Sequence, residues 1–138
     1  MHIDESQLEN FITDSGLISK KDLEEAKAVA QEKNLSIGKV LVTRGTLSDD
    51  DLRRAQAYVI GIPFVDLKNQ KLDFEVLSLI PEPIARNHNI VAFKKNADSL
   101  EVAMLDTDDL TAIDFIKKKV ELRILPRLTD DESMKWAL

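Results

Sequence analysis

The sequence contains no cysteine and only two histidines among its 138 residues. Disulfides, thiolate metal ligands and a cysteine nucleophile are therefore excluded, and histidine-based zinc chemistry is disfavoured. Apolar runs are short, and none approaches the roughly 18 to 20 residues that are needed to cross a bilayer. The polar opening from His2 to Asn10 also lacks the basic and apolar regions of a signal peptide. We therefore expect a cytoplasmic protein that does not insert into the membrane.

Positive charge is the scarcer sign in this chain. There are 19 basic and 25 acidic residues, which give a net charge of −6 and a pI near 4.9. Nucleic acid and anionic lipid would both approach against a repulsive field, so neither is expected as a partner. The remaining composition, 43% hydrophobic and 32% charged, is typical of a soluble globular domain.

The first half of the chain contains an internal repeat. Shifting the sequence by 29 residues aligns residues 8–27 with residues 37–56. Five positions are identical in the two copies, and four more are apolar in both. The identical positions are Gly16, Ser19, Asp22, Leu23 and Ala26 in the first copy and Gly45, Ser48, Asp51, Leu52 and Ala55 in the second. We interpret this repeat as a duplication.

Each copy of the repeat predicts a helical hairpin. The first helix of each copy has apolar residues at i, i+3 and i+4, which form one buried stripe. Gly16 and Gly45 stand where a helix ends in a left-handed residue, and Ser19 and Ser48 suit the N-cap of the next helix. The second helices are predicted over Lys20–Lys33 and Asp49–Ile60. Residues 1–61 are therefore expected to form a four-helix subdomain.

Residues 62–138 have a mixed pattern that predicts a small α/β subdomain with about three strands. The strands are expected at Ile90 to Phe93, at Leu100 to Met104 and at Val120 to Leu125, before Pro126. The helices are expected near residues 73–80, near 84–87, at 110–118 and from Thr129 onwards. The first two strands form a hairpin, and a crossover helix then leads to a third strand that pairs in parallel with the second. We expect the helices mostly on one side of this sheet, and an α+β fold for the whole chain.

Active-site signatures are missing from the sequence. It contains no GxxxxGK[ST], GxGxxG, HExxH or GxSxG run. Acidic clusters occur at residues 49–51, 106–109 and 130–132, where helices are expected to begin, and the helix dipole explains carboxylates there. The alternative is a divalent-cation site at Asp106, Asp108 and Asp109, although these lack the glycine and the distal glutamate of an EF-hand loop. We expect no enzymatic activity, no metal and no cofactor.

Four cationic or titratable side chains stand out. Arg44, Arg53 and Arg54 flank the glycine turn and the helix start of the second repeat. A guanidinium beside free helix amides can bind phosphate, although exposed arginines on a helix more often form a solvated face or a partner contact. His88 has no serine or cysteine motif nearby, so we expect a surface or turn histidine rather than a general base.

Several stretches resemble one known family. Ser36 to Gln56, SIGKVLVTRGTLSDDDLRRAQ, resembles the repeated motif in the N-terminal domain of type II secretion and type IV pilus assembly ATPases. GIPFVDL at residues 61–67, LIPEPIARNHNIVAF at 79–93 and LEVAMLDTDDLTAIDFI at 100–116 are similar to the second half of the same domain. The resemblance implies a cytoplasmic domain that precedes a hexameric motor ATPase core in the same chain. It does not distinguish a pilus motor from a secretion motor.

The resemblance implies two alternative roles. One is docking of the motor onto the cytoplasmic part of an inner-membrane platform protein, which would place the domain peripheral to the membrane through its partner. The other, in the MshEN subset of the family, is binding of cyclic di-GMP through tandem copies of a motif close to RLGxxLxxxGxLxxxxLxxxL. We favour the non-catalytic docking role and keep the cyclic di-GMP module as the alternative.

The second copy of the repeat carries the candidate cyclic di-GMP residues that the resemblance implies. They are Ile37, Gly38, Leu41, Arg44, Gly45, Leu47 and Leu52. The first copy departs from the motif, because Gln7 stands where the arginine belongs and Glu9 stands where the first glycine belongs. The loss of the arginine removes a phosphate-pairing group, and Glu9 places negative charge where the dinucleotide backbone would approach.

Overall fold

The computed structural model describes residues 3–138 and forms two compact units, of which the first ends at Gly61 and the second comprises Ile62–Leu138. Within these residues there are eight helices and three strands. The helices are α1 (Glu5–Asp14), α2 (Lys20–Lys33), α3 (Ile37–Thr43), α4 (Asp49–Ile60), α5 (Phe74–Leu77), α6 (Glu82–His88), α7 (Leu110–Val120) and α8 (Asp131–Ala137); the strands are β1 (Ile90–Lys95), β2 (Ser99–Met104) and β3 (Arg123–Leu128). The fold is α+β, and none of the helices in the described range is long and apolar enough to cross a bilayer.

The helical unit contains two similar hairpins, as the repeat predicts. Ser19 and Ser48 are N-caps with the same backbone conformation, φ −77° and ψ 157°. Their hydroxyls accept hydrogen bonds from the amides of Asp22 and Asp51 at 3.1 and 3.0 Å. The glycines that end the first helices have φ values of +77° and +74°, in the region where a Cβ is unfavourable. One buried cluster, drawn from both hairpins, forms the core of this unit.

The second unit is built on a three-stranded sheet with the order β1-β2-β3. β1 and β2 are antiparallel, with an irregularity in register between Ala92 and Lys94, and β2 and β3 are parallel. Helix α7 supplies the crossover between the two parallel strands, as expected. The segment after Gly61 is extended, and it forms a parallel bridge from Phe64 to Leu128 at the end of β3.

Helices pack against both faces of this sheet, whereas the sequence predicts most of them on one side. On one face, α6 and α7 contribute to a cluster with Ile90, Val102 and Met104. On the other face, Met134 of α8 packs with Val91 and Ala103. Alternate residues of a strand point to opposite faces, and both sets in these strands are buried. A sheet that is apolar on both faces requires other elements to pack against both.

The third strand and the last helix both begin later than expected. α7 continues to Val120, and β3 includes Pro126 rather than ending before it. Pro126 is accommodated because β3 is at the edge of the sheet, where a missing N–H costs little. Thr129 is still bonded to β2, since its amide donates to the Met104 carbonyl at 3.0 Å, and its hydroxyl donates to the Val65 carbonyl at 2.8 Å. Asp130 therefore caps α8 through the amide of Ser133 at 2.8 Å.

Candidate functional site

The apolar residues of the candidate motif lie in the core of the helical unit. Ile37, Leu41, Leu47 and Leu52 are between 0 and 7% exposed. They belong to the single buried cluster of this unit, which both copies of the repeat build. These four side chains hold the hairpins together, and Ile37 also lines a cavity at the surface of this unit.

Gly38 marks a close approach between α3 and α4. A Cβ built on Gly38 would lie 2.9 Å from Cδ1 and 3.1 Å from Cδ2 of Leu52. Both residues are buried, and α3 and α4 are in contact. The glycine of the motif thus has a packing role in this chain, because it lets the Leu52 side chain reach the surface of α3.

Each of the three arginines near the second repeat faces a carboxylate. Arg44 caps the end of α3, and its Nη2 lies 3.4 Å from Oε2 of Glu25 on α2, with both side chains exposed. Arg53 and Arg54 form ion pairs one turn back along α4, at 3.5 Å with Asp49 and at 2.6 Å with Asp50. The structure thus pairs Arg44 of the candidate site, and its neighbours Arg53 and Arg54, with separate carboxylates.

Ser36 is a site position that the sequence reasoning missed. When the leucine and glycine of the motif are aligned with Ile37 and Gly38, Ser36 falls where the motif has arginine. Its hydroxyl caps α3 by accepting from the amide of Lys39 at 3.3 Å. Both copies therefore lack the motif arginine, because Gln7 replaces it in the first.

An acidic cavity of about 480 Å³ lies beside Ser36 and Ile37. Glu5, Glu9 and Lys27 also line it, and the Lys27 ammonium lies 3.6 Å from Glu9. Burial raises the pKa of Glu5, and the negative charges of Glu9 and Asp4 raise it further. This electrostatic environment opposes an anionic phosphate at this cavity.

A second cavity lies between the first and fourth helices, and we call it the α1–α4 groove. It has a volume of about 600 Å³ and is lined by Gln7, Asn10, Phe11, Asp14, Ser15, Tyr58 and Val59. The rings of Phe11 and Tyr58 stack with centroids 4.5 Å apart and planes 21° apart. Tyr58 is nevertheless 72% exposed. In the sequence, this groove is indicated by Tyr58, an aromatic residue that falls outside the buried stripe of α4.

In the second unit, a polar network joins the segment before α5 to α8. The side chain of Asp130 is only 3% exposed, and its Oδ2 accepts from the Lys68 ammonium at 2.7 Å. The Ser133 hydroxyl accepts from the Leu67 amide at 3.0 Å and donates to Asp66 at 3.2 Å. Burial alone would raise the pKa of Asp130, but the hydrogen bonds from Lys68 and Ser133 outweigh it and lower the pKa to about 2.

The acidic run before α7 is held by hydrogen bonds within the fold. Asp106 accepts from the Asp108 amide at 2.9 Å, and Asp109 caps α7 through the Ala112 amide at 3.2 Å. Asp109 Oδ2 also lies 2.6 Å from Nδ1 of His88, and this hydrogen bond lowers the pKa of Asp109. Across residues 3–138, no group of three or more histidine, aspartate or glutamate side chains is arranged to hold a metal. The divalent-cation alternative thus gains no support from the geometry.

The chain matches one family model. The model of the MshEN domain matches residues 60–138, which is more than half of the chain. The match covers the α/β unit and does not include the two copies of the helical repeat. The candidate residues at 37–52 therefore lie outside the matched range.

Two curated proteins align with nearly the whole chain, and both are named type IV pilus assembly ATPase PilB. The protein from Myxococcus xanthus is 28% identical over 132 residues, which are 96% of this chain and 23% of the relative. The protein from Thermus thermophilus is 25% identical over 138 residues, which are 99% of this chain and 16% of the relative. The chain therefore spans less than a quarter of the length of either relative.

Two solved structures share the fold. A structure of MshE with cdg (cyclic di-GMP) has a TM-score of 0.71 at 23% identity and covers 93% of both chains. A structure of the N-terminal domain of XpsE has a TM-score of 0.59 at 19% identity, covering 98% of this chain and 93% of the other. At these identities the similarity shows the fold alone.

Proposed function

This chain belongs to the MshEN domain family, and from that premise we propose that it is a docking domain of a type IV pilus assembly or type II secretion motor ATPase. In this role the domain is not itself catalytic. It binds the cytoplasmic part of an inner-membrane platform protein on one side and connects to the ATPase core of its own chain on the other. The domain is then cytoplasmic and reaches the membrane through its partner.

The observation that carries this proposal is the alignment with the PilB ATPases. It includes 96% and 99% of this chain but only 23% and 16% of the relatives, so the chain corresponds to one part of a larger motor. The sequence has no phosphate-binding loop of the GxxxxGK[ST] type. A motor domain without such a loop is suited to contacts with other proteins rather than to ATP hydrolysis.

Biolayer interferometry with the immobilised chain tests the docking role. The analyte is the cytoplasmic part of the platform protein encoded beside it, and the matched control is the periplasmic part of the same protein. We expect saturable binding of the cytoplasmic part only. If it does not bind at concentrations up to about 100 μM, where even a weak specific complex forms, the docking role is wrong.

The MshE structure with cyclic di-GMP supports a second candidate, a cyclic di-GMP-binding regulatory module of the same ATPase class. Against it stand Gln7 and Ser36 at the two arginine positions and the carboxylate of Glu9 in the adjacent cavity. Isothermal titration calorimetry with cyclic di-GMP tests this alternative, with Arg44→Ala as the site variant. The control is Arg86→Ala, which removes one exposed arginine from the other unit. We expect no saturable heat; heat that is lost only in Arg44→Ala would make the regulatory role the better one.

A further inference from the structure

The α1–α4 groove presents a flat aromatic surface. Phe11 covers one face of the Tyr58 ring by stacking, with the centroids 4.5 Å apart. Tyr58 remains 72% exposed, so most of its other surface is available. A cation attracted to a tyrosine ring binds over the ring face. The stacked pair therefore forms a wall against which a planar cationic group can lie.

Two helix C-termini meet at this groove. Asp14 and Ser15 belong to the end of α1, and Tyr58 and Val59 belong to the last turn of α4. Each helix end carries a partial negative charge of about half an elementary charge. Neither helix has a basic residue in its last turn, whereas α2 ends with Lys33 and α7 ends with lysines. The negative potential of these two helix ends is therefore not offset by a basic residue in the last turn, as it is in α2 and α7.

The lining residues reinforce this potential. Asp14 contributes a carboxylate, and among residues 3–138 no lysine, arginine or histidine lines the groove. The other polar groups of the lining are the amides of Gln7 and Asn10 and the hydroxyls of Ser15 and Tyr58, and each of these four carries an oxygen that can accept a hydrogen bond. A group that is planar, positively charged and rich in donors fits all of these features.

We infer that the α1–α4 groove binds an arginine side chain on a basic segment of the partner protein, an inference that rests on the proposed docking function. The guanidinium lies flat on the exposed face of Tyr58 and donates to the Asp14 carboxylate. Arginine fits better than lysine, because its planar fork both stacks on a ring and pairs with a carboxylate through two donors. An acidic or phosphorylated segment would be repelled by the same negative charges.

The chain has a single tyrosine, so 3-fluorotyrosine places one ¹⁹F reporter in the groove. The probe is a blocked glycine–arginine–glycine–arginine–glycine peptide, compared with its lysine and citrulline counterparts at 150 mM salt. We expect a saturable shift of the ¹⁹F resonance with the arginine peptide, at least threefold weaker affinity for the lysine peptide, and no shift with neutral citrulline. Equal shifts with all three peptides, or no shift with the arginine peptide at millimolar concentration, would overturn the inference.

A pair of charge variants locates the binding. Asp14→Asn should weaken the affinity for the arginine peptide at least fivefold. Glu24→Gln removes one exposed carboxylate of the same unit from α2, outside the groove, and should change the affinity less than twofold. If both variants weaken the affinity for the peptide equally, the binding reflects the net charge of the unit, and the groove is not the site.

The partner protein separates this inference from the docking role. We expect Tyr58→Leu to weaken binding of the platform protein's cytoplasmic part at least fivefold, and Tyr58→Phe, which keeps the ring, to bind like the original chain. If the partner binds the original chain and Tyr58→Leu equally, docking stands and the groove inference fails. If the partner does not bind at all while the arginine peptide shifts the reporter as described, the docking role fails and the groove keeps its specificity for arginine.

Discussion

At the scale of single residues, Gly38 sets the distance between α3 and α4. We expect Gly38→Ala to lower the free energy of unfolding by about 1 kcal/mol, because overpacking against Leu52 exceeds the gain in helix propensity. A new Cβ would lie 2.9 Å from a Leu52 methyl group that is itself buried, so the side chain has little room to move. Urea unfolding followed by circular dichroism measures the change.

A double-mutant cycle tests whether Leu52 is the cause of that loss. Leu52→Val shortens the obstructing side chain, so it should cost less in the Gly38→Ala background than in the original chain, by about 0.5 kcal/mol or more. If the two changes are additive, the contact between Gly38 and Leu52 does not limit the packing of these helices.

Asp130 is the buried carboxylate on which the Lys68 and Ser133 hydrogen bonds converge. Its pKa is lowered to about 2 from a usual value of 3.8, so its charged form stabilises the fold. A shift of this size corresponds to roughly 2 kcal/mol of stability, fully present above about pH 4 and lost as the pH falls through the folded pKa. We expect Asp130→Asn to destabilise the chain by roughly that amount at pH 7, as measured by urea unfolding.

The pH dependence distinguishes this charge effect from a packing defect. The difference between Asp130→Asn and the original chain should shrink between pH 4 and pH 2, because the original carboxylate becomes protonated there. Asp98→Asn, which changes an exposed carboxylate in the same unit, should alter stability by less than about 0.5 kcal/mol. A destabilisation by Asp130→Asn that is independent of pH would assign the loss to cap geometry alone.

Sequence reasoning proposed residues for the candidate site, but it did not predict their surroundings. The apolar spacing of Ile37 and Leu41 correctly predicted a buried stripe, because helical periodicity is local. The partner of Arg44 is Glu25, which is 19 residues away on α2, and no local pattern indicates such a pair. The stacking of Phe11 on Tyr58 likewise depends on how α1 packs against α4.

At the scale of elements, the cap signals account for the accuracy of the helix boundaries. α2 and α4 begin and end at the residues predicted from the sequence, since serine N-caps act within one turn of the helix. β3 was misplaced, because only the strand order shows that Pro126 lies at a sheet edge. In α7, Leu110 is exposed and Ala112 is buried, which apolar spacing alone does not predict. Packing against the sheet determines which side of that helix is buried.

The two serine caps provide a test of the duplication. Ser19 and Ser48 have the same φ and ψ and accept hydrogen bonds of 3.1 and 3.0 Å. We expect Ser19→Ala and Ser48→Ala each to lower the free energy of unfolding by about 1 kcal/mol, with costs that agree within about 0.5 kcal/mol. Thermal and urea unfolding measure both, and Ser6→Ala on the exposed surface of α1 serves as the control. Costs that differ severalfold would show that the two hairpins are not energetically equivalent.

At the scale of the whole molecule, the buried clusters divide along the chain. The cluster of the helical unit draws on residues from Leu8 to Ala55, and the two clusters of the sheet unit draw on residues from Leu67 onwards. The single tyrosine lies in the first unit and the single tryptophan in the second. Tyr58 and Trp136 can therefore report on the two cores separately.

We predict that the units before and after Gly61 unfold in separate transitions. Leu41→Ala empties a fully buried position of the helical core and should cost about 2 to 5 kcal/mol. It should shift the unfolding transition seen by ¹⁹F at 3-fluorotyrosine 58 and leave that of Trp136 fluorescence unchanged. Leu100→Ala, at a fully buried position of the sheet, is the matched control and should do the reverse. If either substitution shifts both transitions equally, the chain is one cooperative unit and the boundary at Gly61 has no thermodynamic meaning.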